Sequence, residues 1–231
     1  MEKEGFFYRP IAHIDNDYVA KFGIPRQSGL VPKLLSKIIF TPQYRSSEAL
    51  RGLEGYSHVW LIWHFDLPES KEWSPTVRPP RLKGNTRMGV FATRSPFRPN
   101  PLGLSLVKLE KIELNTKEGP VLTVSGADLM KGTAILDIKP YLPYVEALPL
   151  ATGGFGAEVK DYALEVDFPQ ELLTKVDFSQ REVLLSILAQ DPRPSYQNDP
   201  TREYGLSFAN LNIKFKVEDG VLTVLTVDSY A

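Results

Sequence analysis

The chain has no cysteine among its 231 residues. This absence excludes disulfide bonds, thiolate metal sites and a cysteine nucleophile, and it favours a reducing compartment. Long hydrophobic runs are also missing, because the longest extends only from Val59 to Phe65, far short of the roughly 20 residues that cross a bilayer. Residues 1–10 lack the apolar stretch of a secretory signal. We therefore expect a soluble, cytoplasmic protein with no membrane partner.

Acidic residues are missing from two long segments. Residues 73–109 hold seven Lys or Arg and six Pro without one Asp or Glu, and residues 18–47 hold five basic residues without an acid. The other 164 residues have a net charge of −13, although the net charge of the whole chain is −1. Because clustered Lys and Arg attract polyanions, this division favours a phosphate-bearing partner. The alternative is that the two windows lack acids by chance.

Short stretches rich in β-branched and aromatic residues predict a mainly β fold. Helical periodicity is absent between them, which favours a closed or nearly closed barrel over a parallel sheet with crossover helices. The predicted strands are 7–14, 37–41, 57–65, 89–93, 104–114, 121–127 and 133–138. The long loops 16–36 and 68–87 overlap the acid-free segments, so binding residues are expected there.

A change in composition predicts a second domain. Residues 148–156, rich in Pro and Gly, are the expected linker between an N-terminal β-barrel domain (1–147) and a small C-terminal α+β domain (157–231). In the second domain the alternation of residues 164–168 predicts a strand.

The second domain also contains a predicted helix and a predicted hairpin. Residues 179–190 show helical periodicity, with Ser179 and Glu182 as a capping box and Phe178 and Val183 as a hydrophobic staple. A hairpin is predicted from residues 211–217 and 221–227, with Asp219 and Gly220 in the turn.

Several motifs are long and specific. They are PRQ at 25–27, PTVRPPRL at 75–82, GVFATRSPFRPNPLGLSL at 89–106, DLMKGTAILDIKPYLPYVEA at 128–147 and QDPRPSY at 190–196. Together they resemble the TsaA or TrmO-type tRNA methyltransferases over nearly the whole chain. Enzymes of that family use S-adenosylmethionine to methylate the exocyclic amine of threonylcarbamoyladenosine, beside the anticodon of certain tRNAs. The resemblance implies this cofactor, a tRNA anticodon loop as substrate, and a homodimer.

The resemblance also implies a set of cofactor-binding residues. They are Pro25, Arg26, Gln27, Asp66, Leu67, Arg94, Leu104, Asp128, Leu129, Met130 and Lys131. S-adenosylmethionine offers a carboxylate, a ribose diol, an adenine face and a sulfonium, and a pocket for it needs an Arg, an Asp and apolar walls. Arg26 and Arg94 can each make paired hydrogen bonds to a carboxylate or a phosphate. Whether each faces the cofactor or the RNA stays open.

Asp137 is the candidate general base, and the alternative is that alignment of amine, methyl group and sulfonium suffices. Candidate RNA contacts are the cations Arg78, Arg81, Lys83, Arg87 and Arg98, with Tyr141 and Tyr144 as stacking surfaces for a base. No metal is expected, because His58 and His64 lack a third ligand nearby.

The sequence thus predicts an S-adenosylmethionine-dependent tRNA methyltransferase. Two other classes remain open. One is a non-catalytic module that binds a nucleotide or S-adenosylmethionine. The other is a small-molecule methyltransferase, whose activity would not depend on salt.

Overall fold

The computed structural model describes residues 5–66, 73–79, 86–158, 162–194 and 199–229. The strands up to residue 140 are β1 (Ala12–Asp15), β2 (Leu35–Phe40), β3 (His58–His64), β4 (Thr76–Val77), β5 (Met88–Gly89), β6 (Leu102–Thr116), β7 (Gly119–Ser125) and β8 (Ala134–Pro140). Six of them pair in antiparallel fashion and close into a barrel in the order β1-β2-β7-β6-β3-β8. The prediction of a mainly β fold with a closed barrel is confirmed.

Burial alternates along β3, so every second residue faces the inside of the barrel. Val59, Leu61 and Trp63 are buried, whereas the residues between them are more exposed. Strand β6 pairs with β3 in antiparallel register and contributes Ser105 and Val107 to the same interior. Since side chains of a strand alternate between its two faces, this pattern is sufficient to fix which face is buried.

One predicted barrel strand is wrong. Of residues 89–93, only Gly89 belongs to a strand, in the two-residue ladder of β4 and β5, and Val90–Ala92 form a 3-10 turn. The Val90 amide donates to the Pro75 carbonyl at 2.9 Å and its side chain is buried, so the β-branched residue packs without extending a strand. Further 3-10 turns are Pro42–Tyr44, Ser47–Leu50 and Leu53–Gly55.

The C-terminal part forms a four-stranded sheet in the order β10-β11-β12-β9. Its strands are β9 (Glu165–Asp167), β10 (Tyr204–Phe208), β11 (Leu211–Glu218) and β12 (Val221–Ser229). The helices are α1 (Pro143–Glu146), α2 (Phe155–Glu158), α3 (Gln170–Leu173) and α4 (Phe178–Ala189). The predicted hairpin of β11 and β12 is confirmed, with Asp219 and Gly220 at positive φ angles of 46° and 82°. Strand β10 was not predicted.

Helix α4 is present, but its predicted start is wrong. The N-cap is Asp177, without a side-chain hydrogen bond, and Ser179 already lies in the first turn. Glu182 does not close a capping box, because its carboxylate pairs with Lys33 at 2.5 Å. Phe178 is 86% exposed, so the hydrophobic staple does not form either. The predicted buried face of the helix is confirmed, since Val183, Leu184, Ile187 and Leu188 are all buried.

Two hydrophobic clusters fill the molecule, one inside the barrel and one beneath the C-terminal sheet. Tyr18, Val31 and Leu34 come from the loop between β1 and β2, yet they belong to the second cluster. That loop therefore joins the two parts of the chain. The linker at 148–156 stays a prediction. Among the helices of the described residues, none is long and apolar enough to cross a membrane.

Gly103 in β6 makes room for the indole ring of Trp63. A Cβ atom at this position would lie 2.2 Å from the ring, so the ring would have to move. We expect Gly103→Ala to lower the free energy of unfolding by about 1–3 kcal/mol, the usual cost of overpacking a core. Urea denaturation measures it. The matched control is Gly205→Ala in β10, where the nearest atom lies at an ordinary 3.8 Å; equal losses in the two variants would contradict the prediction.

Candidate functional site

A cavity of about 810 Å³ opens where β3 ends and β6 begins. It is lined by residues 24–27 of the first long loop, 63–66 at the end of β3 and 102–104 at the start of β6, together with Lys21, Phe91, Thr93, Arg94, Pro96, Arg98, Pro99, Asn100, Asp128, Met130 and Thr133. Residues from both acid-free segments therefore meet at one cavity.

A buried chain of hydrogen bonds reaches this cavity from inside the barrel. Trp63 Nε1 donates to Ser105 Oγ at 3.0 Å, and Ser105 Oγ donates to Asp128 Oδ1 at 2.5 Å. Ser105 is fully buried. Burial raises the pKa of Asp128, and the hydrogen bond from Ser105 and the nearby charge of Arg94 only partly oppose this. The arrangement holds a carboxylate at the cavity wall in surroundings that favour a cationic neighbour.

The turn that carries Asp128 is fixed by the first long loop. Asn16 Nδ2 donates to the Leu129 carbonyl at 2.9 Å, and the Lys131 amide donates to the Tyr18 carbonyl at 2.8 Å. Burial and the charge of Asp128 raise the pKa of the Tyr18 hydroxyl, which therefore stays neutral. The loop and the turn form one wall, so the carboxylate has a defined direction.

The cavity lining also carries hydrogen-bonded cations. Arg94 Nη1 donates to Gln27 Oε1 at 2.8 Å, and Gln27 Nε2 donates to the Arg26 carbonyl at 2.5 Å. Lys21 Nζ donates to the Asp66 carbonyl at 2.9 Å. These bonds hold the guanidinium group of Arg94 in the cavity lining, and Gln27 uses only one of its five N–H donors.

Most of the predicted cofactor residues meet at this cavity. The lining includes Pro25, Arg26, Gln27, Asp66, Arg94, Leu104, Asp128 and Met130. Leu129 lies instead in the barrel core, and Lys131 pairs with Asp15 at 2.7 Å. Leu67 is outside the described residues. Contact with a cofactor stays a prediction for all of them.

Asp137 lies away from the cavity lining. Its carboxylate pairs with Lys139 at 2.9 Å and accepts a hydrogen bond from the Ile138 amide at 2.9 Å, so its charge is compensated. The side chain is 47% exposed. Nothing in this environment resembles that of Asp128, and a role for Asp137 as general base stays a prediction without support from position.

The predicted RNA contacts have different surroundings. Arg98 donates to the Thr93 carbonyl at 3.1 Å and lines the cavity. Arg87 donates to Thr76, whereas Arg78 is exposed. The ring of Tyr141 packs edge-on against His58 and Trp60, and Tyr144 is 80% exposed. Arg81 and Lys83 are outside the described residues.

A second cavity, of about 890 Å³, lies between the barrel and helix α4. It shares Arg94 with the first cavity. Two of its cations are neutralised, because Lys33 pairs with Glu182 and Lys108 pairs with Glu110 at 3.0 Å. The first cavity therefore has the more distinctive chemistry.

Sequence reasoning missed Trp63, Ser105 and Asn16. One signal was available: Gly103 and Ser105 occupy inward positions of β6 that otherwise take large apolar residues. A glycine and a serine at such positions indicate a close approach and a polar partner. The identity of that partner, Asp128, depends on the fold.

The sequence matches the models of one protein family over most of its length. The family model described as tRNA-methyltransferase O N-terminal domain matches residues 13–147, and the TrmO C-terminal domain matches residues 161–230. A tRNA (adenine(37)-N6)-methyltransferase of Escherichia coli is 38% identical over 231 residues, covering 96% of this chain and 98% of the relative. A Pseudomonas aeruginosa protein named as a putative S-adenosylmethionine-dependent methyltransferase, RcsF, is 40% identical, with coverages of 88% and 89%.

The fold agrees as well. A crystal structure of TrmO from Pseudomonas aeruginosa superposes with a TM-score of 0.78 at 33% identity, covering 100% of both chains. Two family models that together span most of the sequence, and a relative matched over nearly its whole length, lead to one conclusion. The chain belongs to the tRNA-methyltransferase O family.

Proposed function

We propose that this protein transfers a methyl group from S-adenosylmethionine to N6 of adenosine 37 in tRNA, with threonylcarbamoyladenosine as the substrate nucleoside. Membership of the family supports the reaction, since relatives are named for methylation at this position. The observation that carries the proposal is the cavity at the end of the barrel, which gathers Arg94, Asp128 and Gln27 from three distant parts of the chain.

The residues of the cavity fit S-adenosylmethionine. Its volume of about 810 Å³ lies within the usual range for small-molecule sites. Asp128 offers a partly desolvated carboxylate to a cation, Arg94 offers a guanidinium group to a carboxylate, and Phe65, Met130 and Leu104 offer apolar surface. When bound, the cofactor supplies an electrophilic methyl group on a sulfonium.

The protein's own contribution is to bind and align. Arg94 is the proposed anchor for the carboxylate of the cofactor, and Asp128 the proposed partner of its positive charge. Phe91 is 75% exposed at the rim of the cavity, where an aromatic face suits a base extruded from an RNA loop. Ser105 is not part of the cavity lining; together with Trp63 it fixes the direction of Asp128.

The substrate is tested by methyl transfer. With labelled S-adenosylmethionine, we expect label in tRNA that carries threonylcarbamoyladenosine at position 37 and at least about 100-fold less in the same tRNA without it. The reason is that a site built to hydrogen-bond a substrate group can reject a substrate without that group by about 10⁴-fold or more in kcat/KM in the strongest cases. Equal transfer to both tRNAs would leave adenosine itself as the substrate. No transfer to either tRNA would favour the non-catalytic module.

Salt provides the control for the RNA partner. Raising the salt concentration from 50 to 200 mM should weaken tRNA binding steeply, because each neutralised phosphate adds about −0.9 to the slope of log K against log salt for duplex and about −0.7 for single strands. Binding of S-adenosylmethionine alone should change little. A tRNA affinity that is insensitive to salt contradicts the proposed role of the acid-free segments.

We also propose that the protein acts as a cytoplasmic homodimer. Leu35, Leu102 and Leu104 are between 41% and 59% exposed on the outer surface of the barrel, and two of them line the cavity. Exposed leucines beside a binding site suit an interface with a second copy. Sedimentation of the purified protein measures the oligomeric state, and a monomer at micromolar concentration would contradict it.

A further inference from the structure

The C-terminal part contains a buried ion pair, Asp191–Arg193. The two residues are 8% and 9% exposed, and Arg193 Nε and Nη2 donate to the two carboxylate oxygens of Asp191 at 2.8 and 2.9 Å. Tyr162 Oη also donates to Asp191 Oδ2, at 2.7 Å. Burial alone would raise the pKa of Asp191, but these donors outweigh it and hold the pKa below its usual value. Buried ion pairs are often no more stabilising than apolar residues of similar size, so stability alone is a weak reason for this one.

The backbone around the pair is also costly. Asp191 follows helix α4 with φ of 53°, the left-handed region that favours Gly or Asn. Nη1 of Arg193 is buried and has no hydrogen-bond partner in the part of the chain that the structure describes. Both features cost free energy. A segment that keeps both features is held in one conformation, and this conformation contacts the rest of the molecule.

The contact is with the loop of the cofactor cavity. Arg26 Nη2 donates to the carbonyl oxygens of Asp191 and Arg193 at 3.5 and 3.4 Å, across more than 160 residues of sequence. The side-chain ion pair and Pro192 between the two residues fix the direction of both carbonyls. The C-terminal part thereby presents two acceptors to one guanidinium group.

From Arg26 the hydrogen bonds continue into the cavity. Gln27 Nε2 donates to the Arg26 carbonyl, which leaves Gln27 Oε1 directed at Arg94 Nη1, 2.8 Å away. An amide side chain whose nitrogen is engaged in this way presents its oxygen in one orientation only. The guanidinium group of Arg94 is therefore held by a continuous series of hydrogen bonds that begins at the Asp191–Arg193 pair.

We infer that Asp191 and Arg193 are positioning residues for the cofactor cavity: they hold the loop of residues 25–27, and through Gln27 they hold Arg94, so the C-terminal part sets the affinity for S-adenosylmethionine. The inference rests on the proposed function, which supplies this ligand. Its physical basis is preorganisation. A loop and a side chain that are already ordered lose less conformational entropy when the ligand binds.

The test uses the full chain with both charges removed at once, since removing one would leave an uncompensated buried charge. Asp191→Asn/Arg193→Met keeps a residue that tolerates a left-handed backbone and keeps the volume near Arg193. We expect the dissociation constant for S-adenosylmethionine, measured by calorimetry, to rise about tenfold, which is the effect of a lost charged hydrogen bond. A rise of less than twofold overturns the inference.

Two comparisons separate positioning from general support. Glu182→Gln breaks a different ion pair, the one between helix α4 and Lys33 of the first loop, and is expected to leave cofactor affinity unchanged. The triple variant Asp191→Asn/Arg193→Met/Arg94→Met should lose no more affinity for S-adenosylmethionine than Arg94→Met alone. The reason is that both changes act through the same guanidinium group. If the losses of affinity are fully additive, the Asp191–Arg193 pair has a structural role only.

Folding is checked by the thermal unfolding midpoint without ligand. If the double variant is unfolded, Tyr162→Phe replaces it: this change removes only the hydrogen bond to Asp191, and a rise of about threefold is expected. An unchanged affinity in Tyr162→Phe then counts against the inference. If the wild-type protein itself does not bind S-adenosylmethionine, the proposed cofactor fails instead, so the two failures are distinguishable.

Discussion

Arg94→Met is expected to weaken binding of S-adenosylmethionine about 100-fold. A guanidinium group that pairs with a carboxylate makes charge-assisted hydrogen bonds, and loss of such bonds costs about 1.5–3 kcal/mol. Methionine keeps the length and apolar contacts of the side chain, so the cavity is not enlarged. Arg94 is exposed, and its substitution should leave the thermal unfolding midpoint nearly unchanged.

Two variants sharpen this result. Arg94→Lys keeps the charge but loses the planar pair of donors, and we expect an intermediate loss of about tenfold. Arg87→Met removes an exposed arginine that binds Thr76 outside the cavity lining, and cofactor affinity should stay at the wild-type value. An affinity within threefold of wild type in Arg94→Met would show that Arg94 does not anchor the cofactor.

Strands could be predicted from composition, and features that depend on distant partners could not. Residues 59–63 are all apolar, so the sequence predicts β3 as a strand, but pairing with β6 and β8 decides which of its faces is buried. Residues 89–93 also contain β-branched and aromatic residues but lack a partner of sufficient length, and residues 90–92 form a 3-10 turn. Composition favours a strand only where another strand is available to pair with it.

Helix α4 illustrates the same limit at a helix end. Ser179 and Glu182 have the spacing of a capping box, but Glu182 has a better partner in Lys33, which comes from a loop 149 residues away. A charged partner outside the helix competes with the local cap. The buried face was predictable because periodicity alone decides it, whereas the first turn depends on tertiary contacts.

The residues of the candidate site also divide into those that the sequence indicated and those that only the fold reveals. The motifs indicated Arg94 and Asp128, and both line the cavity. The groups that orient them are Ser105 for the carboxylate and Gln27 for the guanidinium. Ser105 is 23 residues from Asp128 and Gln27 is 67 residues from Arg94, so only the closed barrel brings each pair together.

Asp128→Asn is expected to make the protein more stable at pH 7 and to weaken cofactor binding about 10- to 100-fold. Asparagine has the same shape and its Oδ1 still accepts the hydrogen bond from Ser105, so the wall of the cavity is preserved. The change removes the negative charge that faces the cationic part of the proposed ligand, worth about 1.5–3 kcal/mol. Calorimetric titration with S-adenosylmethionine measures the loss.

The gain in stability has a definite pH dependence. The pKa of Asp128 in the folded protein is raised, chiefly by burial, above that of an unfolded chain, about 3.9. A group with a raised pKa contributes stability below the unfolded value and loses that contribution as pH rises through the folded value. At pH 7 the buried charge therefore opposes folding, and its removal should raise the unfolding midpoint by roughly 2–4 °C if it is worth about 1 kcal/mol.

The two effects of Asp128→Asn separate a binding residue from a structural one. If the charge of Asp128 stabilised the fold, the substitution would be destabilising at pH 7. The raised pKa predicts the opposite result in the absence of ligand, because burial of the charge has a cost that binding of a cationic ligand would offset. Thermal unfolding of both proteins at pH 4 and pH 7 measures that cost: the advantage of the variant should shrink toward zero at the lower pH, and a constant or reversed difference would contradict it. The titration with S-adenosylmethionine then shows whether binding needs the charge.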